Sequence, residues 1–262
     1  SGLNNGNSWQ NAYTLLQDAI KLRPDTVLVA QGTYYPDQGK GIVNNDRNSS
    51  FVFRESVFVL GGFPSGGGGL ELRNWKKNKT ILCGEIQQDK DSSNNSYHIV
   101  KTNDSNSTID GFYLVGGNAN EFQKSQNSGG GAWLNNSNPT IKNCMFYRNS
   151  AIWYGGAILN QGSPKLINCI VTGNHSPTSG ALASIVTGSG ISNIEIINSA
   201  FSGNTGGSMR LVDFGAQTST VTIRNSIIWG NGGAQAPSTT GYAVDASQSI
   251  IPFGFPGEGN IG

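Results

Sequence analysis

Along the second half of the chain, polar and apolar positions recur with a long period, neither the 3.6 of a helix nor a plain alternation. Four segments align without gaps: 143–149 (Asn-Cys-Met-Phe-Tyr-Arg-Asn), 168–174 (Asn-Cys-Ile-Val-Thr-Gly-Asn), 198–204 (Asn-Ser-Ala-Phe-Ser-Gly-Asn) and 225–231 (Asn-Ser-Ile-Ile-Trp-Gly-Asn). Their starts are separated by 25, 30 and 27 residues. Two residues before each first Asn stands an aliphatic (Ile141, Leu166, Ile196, Ile223), and three after it an apolar residue (Phe146, Val171, Phe201, Ile228). The residue directly after it is small: Cys144, Cys169, Ser199 or Ser226. A repeat of this length accommodates three short strands and three turns, one coil of a parallel β-helix. Stacked coils lie about 4.8 Å apart, so equal repeat positions sit directly on one another. The aliphatics then form an inward column. The first Asn of each unit (Asn143, Asn168, Asn198, Asn225) is expected at the bend between two strands, where Asn tolerates left-handed backbone. Stacked there, these residues are expected to form a ladder of side-chain amides.

A further strand per coil precedes each unit, marked by the Gly-Ala starts of Gly131-Ala-Trp-Leu-Asn135, Gly156-Ala-Ile-Leu-Asn160 and Gly180-Ala-Leu-Ala-Ser184. Upstream, short apolar runs at 27–30, 57–60, 80–83, 98–101 and 109–115 read as strands between Gly, Asn and Pro. Polar loops are expected at about 36–50, 64–79, 87–96 and 118–129. Ala12, Leu15, Leu16, Ala19 and Leu22 fall on one helical face after Ser8, and Pro24 follows. The predicted organisation is one all-β domain over 1–262: an amphipathic helix over 8–23 closing the open end of the solenoid, irregular coils over 26–130 and regular coils over 131–251.

Composition agrees with a solenoid. Of 262 residues 37 are Gly, only 13% are charged, and net charge is +1. There is no basic block for nucleic acid and no apolar run of membrane-spanning length. Three Cys without a CxxC pair and two distant His do not predict a disulfide scaffold or a zinc site. Cys144 and Cys169, stacked on adjacent coils, are expected to be packed free thiols.

On these residues the chain resembles the bacterial secreted right-handed parallel β-helix repeat family, of pectin-lyase-like fold. Phe146-Tyr-Arg-Asn149 and Phe201-Ser-Gly-Asn204, with Gly155-Gly-Ala-Ile158, are similar to the FxxN and GGAI repeats of polymorphic outer membrane protein adhesins. The opening, from Ser8-Trp-Gln-Asn-Ala-Tyr13 to Asp25-Thr-Val-Leu-Val-Ala30, resembles that of pectin-lyase-like secreted proteins. The tail, Gly257-Glu-Gly-Asn-Ile261, resembles a stretch that lies within further β-helix in such proteins, which implies a segment of a longer surface protein. The resemblance implies a right-handed coil and a secreted or cell-surface location in bacteria. It implies no single activity, because relatives include polysaccharide lyases, hydrolases and adhesins.

The chemistry expected of a lyase is a Lys or Arg cluster on a strand face, because a proton must be taken beside a neutralised carboxylate. Near the Gly-Ala starts the strands carry Trp133, Leu134, Ile158, Leu159, Leu182 and Ala183; only Arg210 and Asp213 bring charge. No catalytic residue is assigned. Asp89 and Asp91, and Asp104 farther on, are the weak calcium candidates; no other cofactor is expected, and none of them has calcium-loop spacing. Lys165 and Glu195 share a repeat position and are expected to form a surface ion pair. The aromatics are the more suggestive feature. Trp133, Tyr147, Trp153, Tyr154 and Trp229, with Arg210, are the candidate ligand-binding residues, since flat aromatics on an extended surface stack on sugar rings or on a protein partner. The expectation is a non-catalytic module that binds an extracellular glycan or a surface protein, without nucleic-acid binding or membrane insertion. Its rivals are a polysaccharide lyase or glycoside hydrolase and a passive stalk.

Overall fold

The computed structural model describes residues 2–262 apart from 55, 104, 123–125, 216, 234–236 and 253–255. Its strands are short and polar-bounded, and nearly all of them pair in parallel into three long sheets. The first sheet has eight strands, from Thr26–Ala30 to Tyr242–Ser247. The second has seven, from Gly32–Tyr34 to Ile227–Ile228, and the third seven, from Phe51–Arg54 to Ser238–Thr240. The chain visits the sheets in rotation, so each circuit is one coil. Parallel crossovers of this kind are right-handed almost without exception. The result is an all-β right-handed parallel β-helix. Among the described residues no helix is long and apolar enough to cross a membrane.

Register follows from burial. Along the first sheet Val59, Ile109, Ile141, Leu166, Ile196 and Ile223 pair in sequence and point inward, all buried. Along the second, Leu82, Leu114, Phe146, Val171, Phe201 and Ile228 do the same. Since side chains alternate across a strand, a one-residue slip would turn either column out to water.

Each first Asn sits at the bend between the first and second sheets with left-handed backbone: φ is 54° at Asn143, 54° at Asn168, 50° at Asn198 and 48° at Asn225. The ladder is elsewhere. Only one rung joins the first Asn residues, Asn168 Nδ2 to Asn143 Oδ1 at 2.7 Å, and Asn143 Nδ2 donates onward to Asp110 Oδ1 at 2.7 Å. The continuous ladder is built by the last Asn of each unit: Asn149, Asn174, Asn204 and Asn231, all buried. Asn149 Nδ2 donates to Asn174 Oδ1 at 3.0 Å, Asn174 to Asn204 at 2.9 Å and Asn204 to Asn231 at 2.8 Å. The same amides donate to main-chain carbonyls of Leu114, Phe146, Val171 and Phe201. Bends at the first Asn face water and need only a tolerant backbone. The turn after the second sheet folds inward, so its polar groups must be satisfied inside.

The small column behaves in the same way. Main-chain N–H groups of Cys169, Ser199 and Ser226 donate to the hydroxyls of Ser199, Ser226 and Ser249 at 3.0, 3.1 and 3.1 Å. Cys144 and Cys169 are free and buried, as expected. Burial pushes the Cys144 thiol well up and the Cys169 thiol up to about 12. The Lys165–Glu195 pair forms at 2.8 Å.

Two local expectations are corrected. The helix covers only Leu16–Ile20 instead of 8–23. Ser8 caps a turn, its hydroxyl accepting from Asn11 N at 3.2 Å, and Trp9 is drawn onto the first coil against Phe63 at 5.2 Å. So short a helix is held by tertiary contacts: Leu16 enters the core and Gln17 Nε2 donates to the carbonyls of Pro36 and Ser50. It still covers the first coil. The run 109–115 is two strands, Thr108–Asp110 and Phe112–Val115, in different sheets. Gly111, at φ 85°, takes the bend position that Asn143 takes one coil later. Asp110, just before that bend, is buried and paired with Arg73 at 2.8 Å and Lys142 at 3.5 Å.

Replacing a buried rung, Asn174→Ala, strands the Phe146 carbonyl and the Asn149 amide groups and should cost about 2–4 kcal/mol in urea unfolding. Asn168→Gly, at an exposed bend that glycine also accepts, should cost less than about 1 kcal/mol. Equal losses from the two substitutions would refute the assignment of the ladder.

Candidate functional site

The outward face of the third sheet gathers most of the candidate residues. Strand pairing aligns Val52, Lys101, Trp133, Leu159, Ala183, Arg210 and Ser238 in one row along the solenoid. Trp133 is half-buried. Its indole Nε1 donates to Gln161 Oε1 at 3.0 Å. Lys101 Nζ lies 5.6 Å from its ring centroid on the neighbouring coil. The ring also meets His98 at 5.4 Å, and His98 Nδ1 donates to the Gly129 carbonyl at 3.0 Å. The indole thus has three partners. A polar row runs beside it: Arg54, Asn103, Asn135 and Gln161. Asn135 Nδ2 donates to Asn103 Oδ1 at 3.4 Å.

Toward the later coils the face is roofed by turns that link the second and third sheets. Arg210 lies 5.7 Å from the Tyr154 ring centroid, and Trp153 and Tyr154 are 6.3 Å apart. Beneath them Leu159 and Ala183 are buried although they belong to the outward row. The turns are rigidly stacked: Gly129 N donates to the Tyr154 carbonyl at 3.0 Å and Trp153 N to the Asn127 carbonyl at 3.0 Å. The glycines are required there. A Cβ on Gly156 would lie 2.2 Å from the His175 carbonyl oxygen.

The six candidates are therefore divided. Trp133, Trp153, Tyr154 and Arg210 share the third-sheet flank. Tyr147 and Trp229 lie on the second sheet, with coils bearing Thr172 and Ser202 between them. Tyr147 is covered by Arg148 at 5.0 Å. Trp229 is 48% exposed, without a ring partner among the described residues. Lys101 was not among the residues singled out from sequence. Aligning His98-Ile-Val-Lys101 with Gly130-Gly-Ala-Trp133 would have placed it beside the indole.

Burial pushes the Lys101 ammonium below the usual lysine value, and the Asp46 carboxylate works against that shift. Carboxylates on this flank are engaged locally. Asp46 Oδ1 accepts from Asn48 N at 3.0 Å, and Asp213 accepts from Gly215 N at 2.7 Å and Ser219 N at 3.0 Å. Of the calcium candidates, Asp104 lies outside the described residues. Asp91 Oδ1 accepts from Ser93 N at 2.9 Å, and Asp89 accepts from Asp91 N and Asn94 Nδ2 at 2.9 and 2.8 Å. Both carboxylates shape their own turn. Among the described residues no three His, Cys, Asp or Glu side chains gather as a metal site.

The family model described as "Right handed beta helix region" matches residues 85–250. The coils before residue 85 continue the same three sheets. No curated protein and no solved structure matches the chain.

The depressed basicity of Lys101 has a direct readout. Below its folded-state pKa the buried charge destabilises the fold; as pH rises from there toward the unfolded lysine value, that cost disappears. Lys101→Met should therefore be favoured over wild type near pH 8, with the stability gap closing toward pH 11 in urea unfolding. A gap independent of pH would contradict the desolvated environment.

Proposed function

The chain belongs to the right-handed β-helix family, and we propose that it is a non-catalytic binding module presented outside a bacterial cell, with an extracellular glycan as its ligand. The observation that carries this reading is the third-sheet row, where Lys101 and Trp133 stand on adjacent coils of one face and Arg210, three coils farther on, stands beside Tyr154. Indole and phenol rings offer flat apolar surface to pyranose rings, while Gln161, Asn135 and Asn103 offer amides to hydroxyls. A linear polymer suits a face that repeats at one coil spacing. The resemblance of the Asn-ended units to adhesin repeats supports the extracellular placement. A surface protein is the other class of partner, and would contact the same row.

A second reading rests on one specific observation. Lys101 is a partly desolvated amine 5.6 Å from the Trp133 ring centroid, and desolvation lowers its basicity, the direction that favours a proton acceptor. On that reading the same face belongs to a polysaccharide lyase. A screen of acidic and neutral polysaccharides for new double bonds or reducing ends separates the two readings. Silence in both the screen and a glycan array would favour a passive stalk.

For the binding reading, titration with the glycans that score on an array should show Trp133→Ala weakening affinity by about tenfold, near 1.4 kcal/mol. Tyr147→Ala and Trp229→Ala, on the other sheet, should leave it within about twofold. The assignment to the third sheet fails if the second-sheet substitutions produce the larger loss.

A further inference from the structure

Buried polar atoms without a partner are rare, and each asks for a reason. Among the described residues four buried side-chain oxygens have none, and three of them, Asp37 Oδ1, Asn94 Oδ1 and Asn95 Oδ1, belong to loops that meet near the start of the solenoid. Pairing of Gly32–Tyr34 with Thr80–Cys83 sets Tyr34 beside Leu82. Past the paired residues, the Asp37 and Glu85 carboxylates both lie near the Tyr35 phenol, which burial pushes up first and these neighbouring charges push up further. Ser96 N donates to the Gly84 carbonyl at 2.8 Å, which seats Asn95 against the same turn. The 45–47 stretch closes the circle: Asn45 N donates to Asp37 Oδ2 at 2.9 Å and Arg47 Nε to the Asn95 carbonyl at 2.7 Å.

Asp37 is 2% exposed and Asn95 4%. Asn95 is fixed by its own Nδ2, which donates to the Gly116 carbonyl at 2.5 Å and leaves Oδ1 without a donor. Glu85 lends Oε1 to the Lys90 amide at 2.5 Å. The Arg47 guanidinium is engaged by other groups: it lies 4.1 Å from the Tyr97 ring centroid and donates to the Asn118 carbonyl at 3.2 Å. Buried carboxylate and amide oxygens without donors are costly unless a positive charge joins them. We propose that Asp37, Glu85 and Asn95, with Asn94 alongside, form a Ca²⁺ site that ties the 36–46 loop to the 84–95 turn. The donor set is all oxygen, carboxylates plus amide carbonyls, which suits calcium and disfavours the softer metals. Octahedral magnesium demands a more regular cage than two loops supply. The bound ion would fix the loop that carries Asp46, whose carboxylate acts on the Lys101 ammonium.

The test uses the full chain, stripped with chelator and titrated with Ca²⁺ alone. The expected result is a saturable rise in Tm of roughly 5–10 °C at hundredfold excess over Kd. Mg²⁺ should produce much less. Tb³⁺ should show luminescence sensitised by Tyr35, lost in Tyr35→Phe and displaced by Ca²⁺. Asp37→Asn should abolish the Tm rise and, in chelator, should be at least as stable as wild type because it removes an unpartnered buried charge. Asp89→Asn and Asp91→Asn should retain the rise. Should Asp37→Asn not fold, Glu85→Gln is the second variant, with at least a tenfold loss of Ca²⁺ affinity expected. The proposal is overturned by no saturable shift in wild type, by an equal shift with Mg²⁺, or by Ca²⁺ affinity unchanged in these variants.

Discussion

Everything in this molecule depends on coils stacking in register at one spacing. Each inward residue is packed against its own counterpart one coil away, and each buried polar group must find its partner there too. The column of Asn149, Asn174, Asn204 and Asn231 meets that requirement with one residue type. An amide has both donors and an acceptor, so each rung accepts from one neighbour and donates to the next. It also binds a main-chain carbonyl. The Ser column at 199, 226 and 249 solves the same problem one bend away with hydroxyls. In a water-poor interior such chains of hydrogen bonds reinforce one another, whereas a missing rung exposes several groups at once.

The same rule leaves the outer faces free. Outward residues stack as regularly as inward ones, but nothing in the core dictates their type. The first sheet uses the freedom for an ion pair, Lys165 with Glu195. The third uses it for Lys101, Trp133 and Arg210 on a rigid floor. Insertions are confined to turns, and the early coils carry the long ones. There the partnerless oxygens of Asp37, Asn94 and Asn95 concentrate, where the repeat no longer supplies each polar group with a counterpart. The outward side chains and the loop oxygens thus occupy the positions that stacking leaves unassigned.

Much of this was legible in the chain. The spacing of the Asn-bounded units predicted the coil, the inward columns and the left-handed bends, because each follows from local backbone preference and from repetition. The identity of the ladder was not. Both ends of the unit carry Asn with the same period, and only the fold shows which bend faces water and which folds inward. The helix was overextended because its apolar face matched a helical period, while Trp9 was claimed instead by Phe63. The position of Lys101 is not legible locally, because its coil lacks the Gly-Ala start that marks the later strands.

The sequence by itself determined the architecture: a solenoid of coils, which side chains face inward, and where the chain bends. Those are consequences of periodicity and of what Asn and Gly backbones tolerate. Only the tertiary structure decided which distant residues share a surface or a corner. Trp133 meets Lys101 and His98 from the coil before, Tyr154 meets Arg210 from two coils on, and Arg47 reaches the Asn95 carbonyl across 48 positions of sequence. The reason is physical. Local preference acts within a few residues, whereas such contacts depend on how many residues each turn inserts before the chain returns to the same sheet.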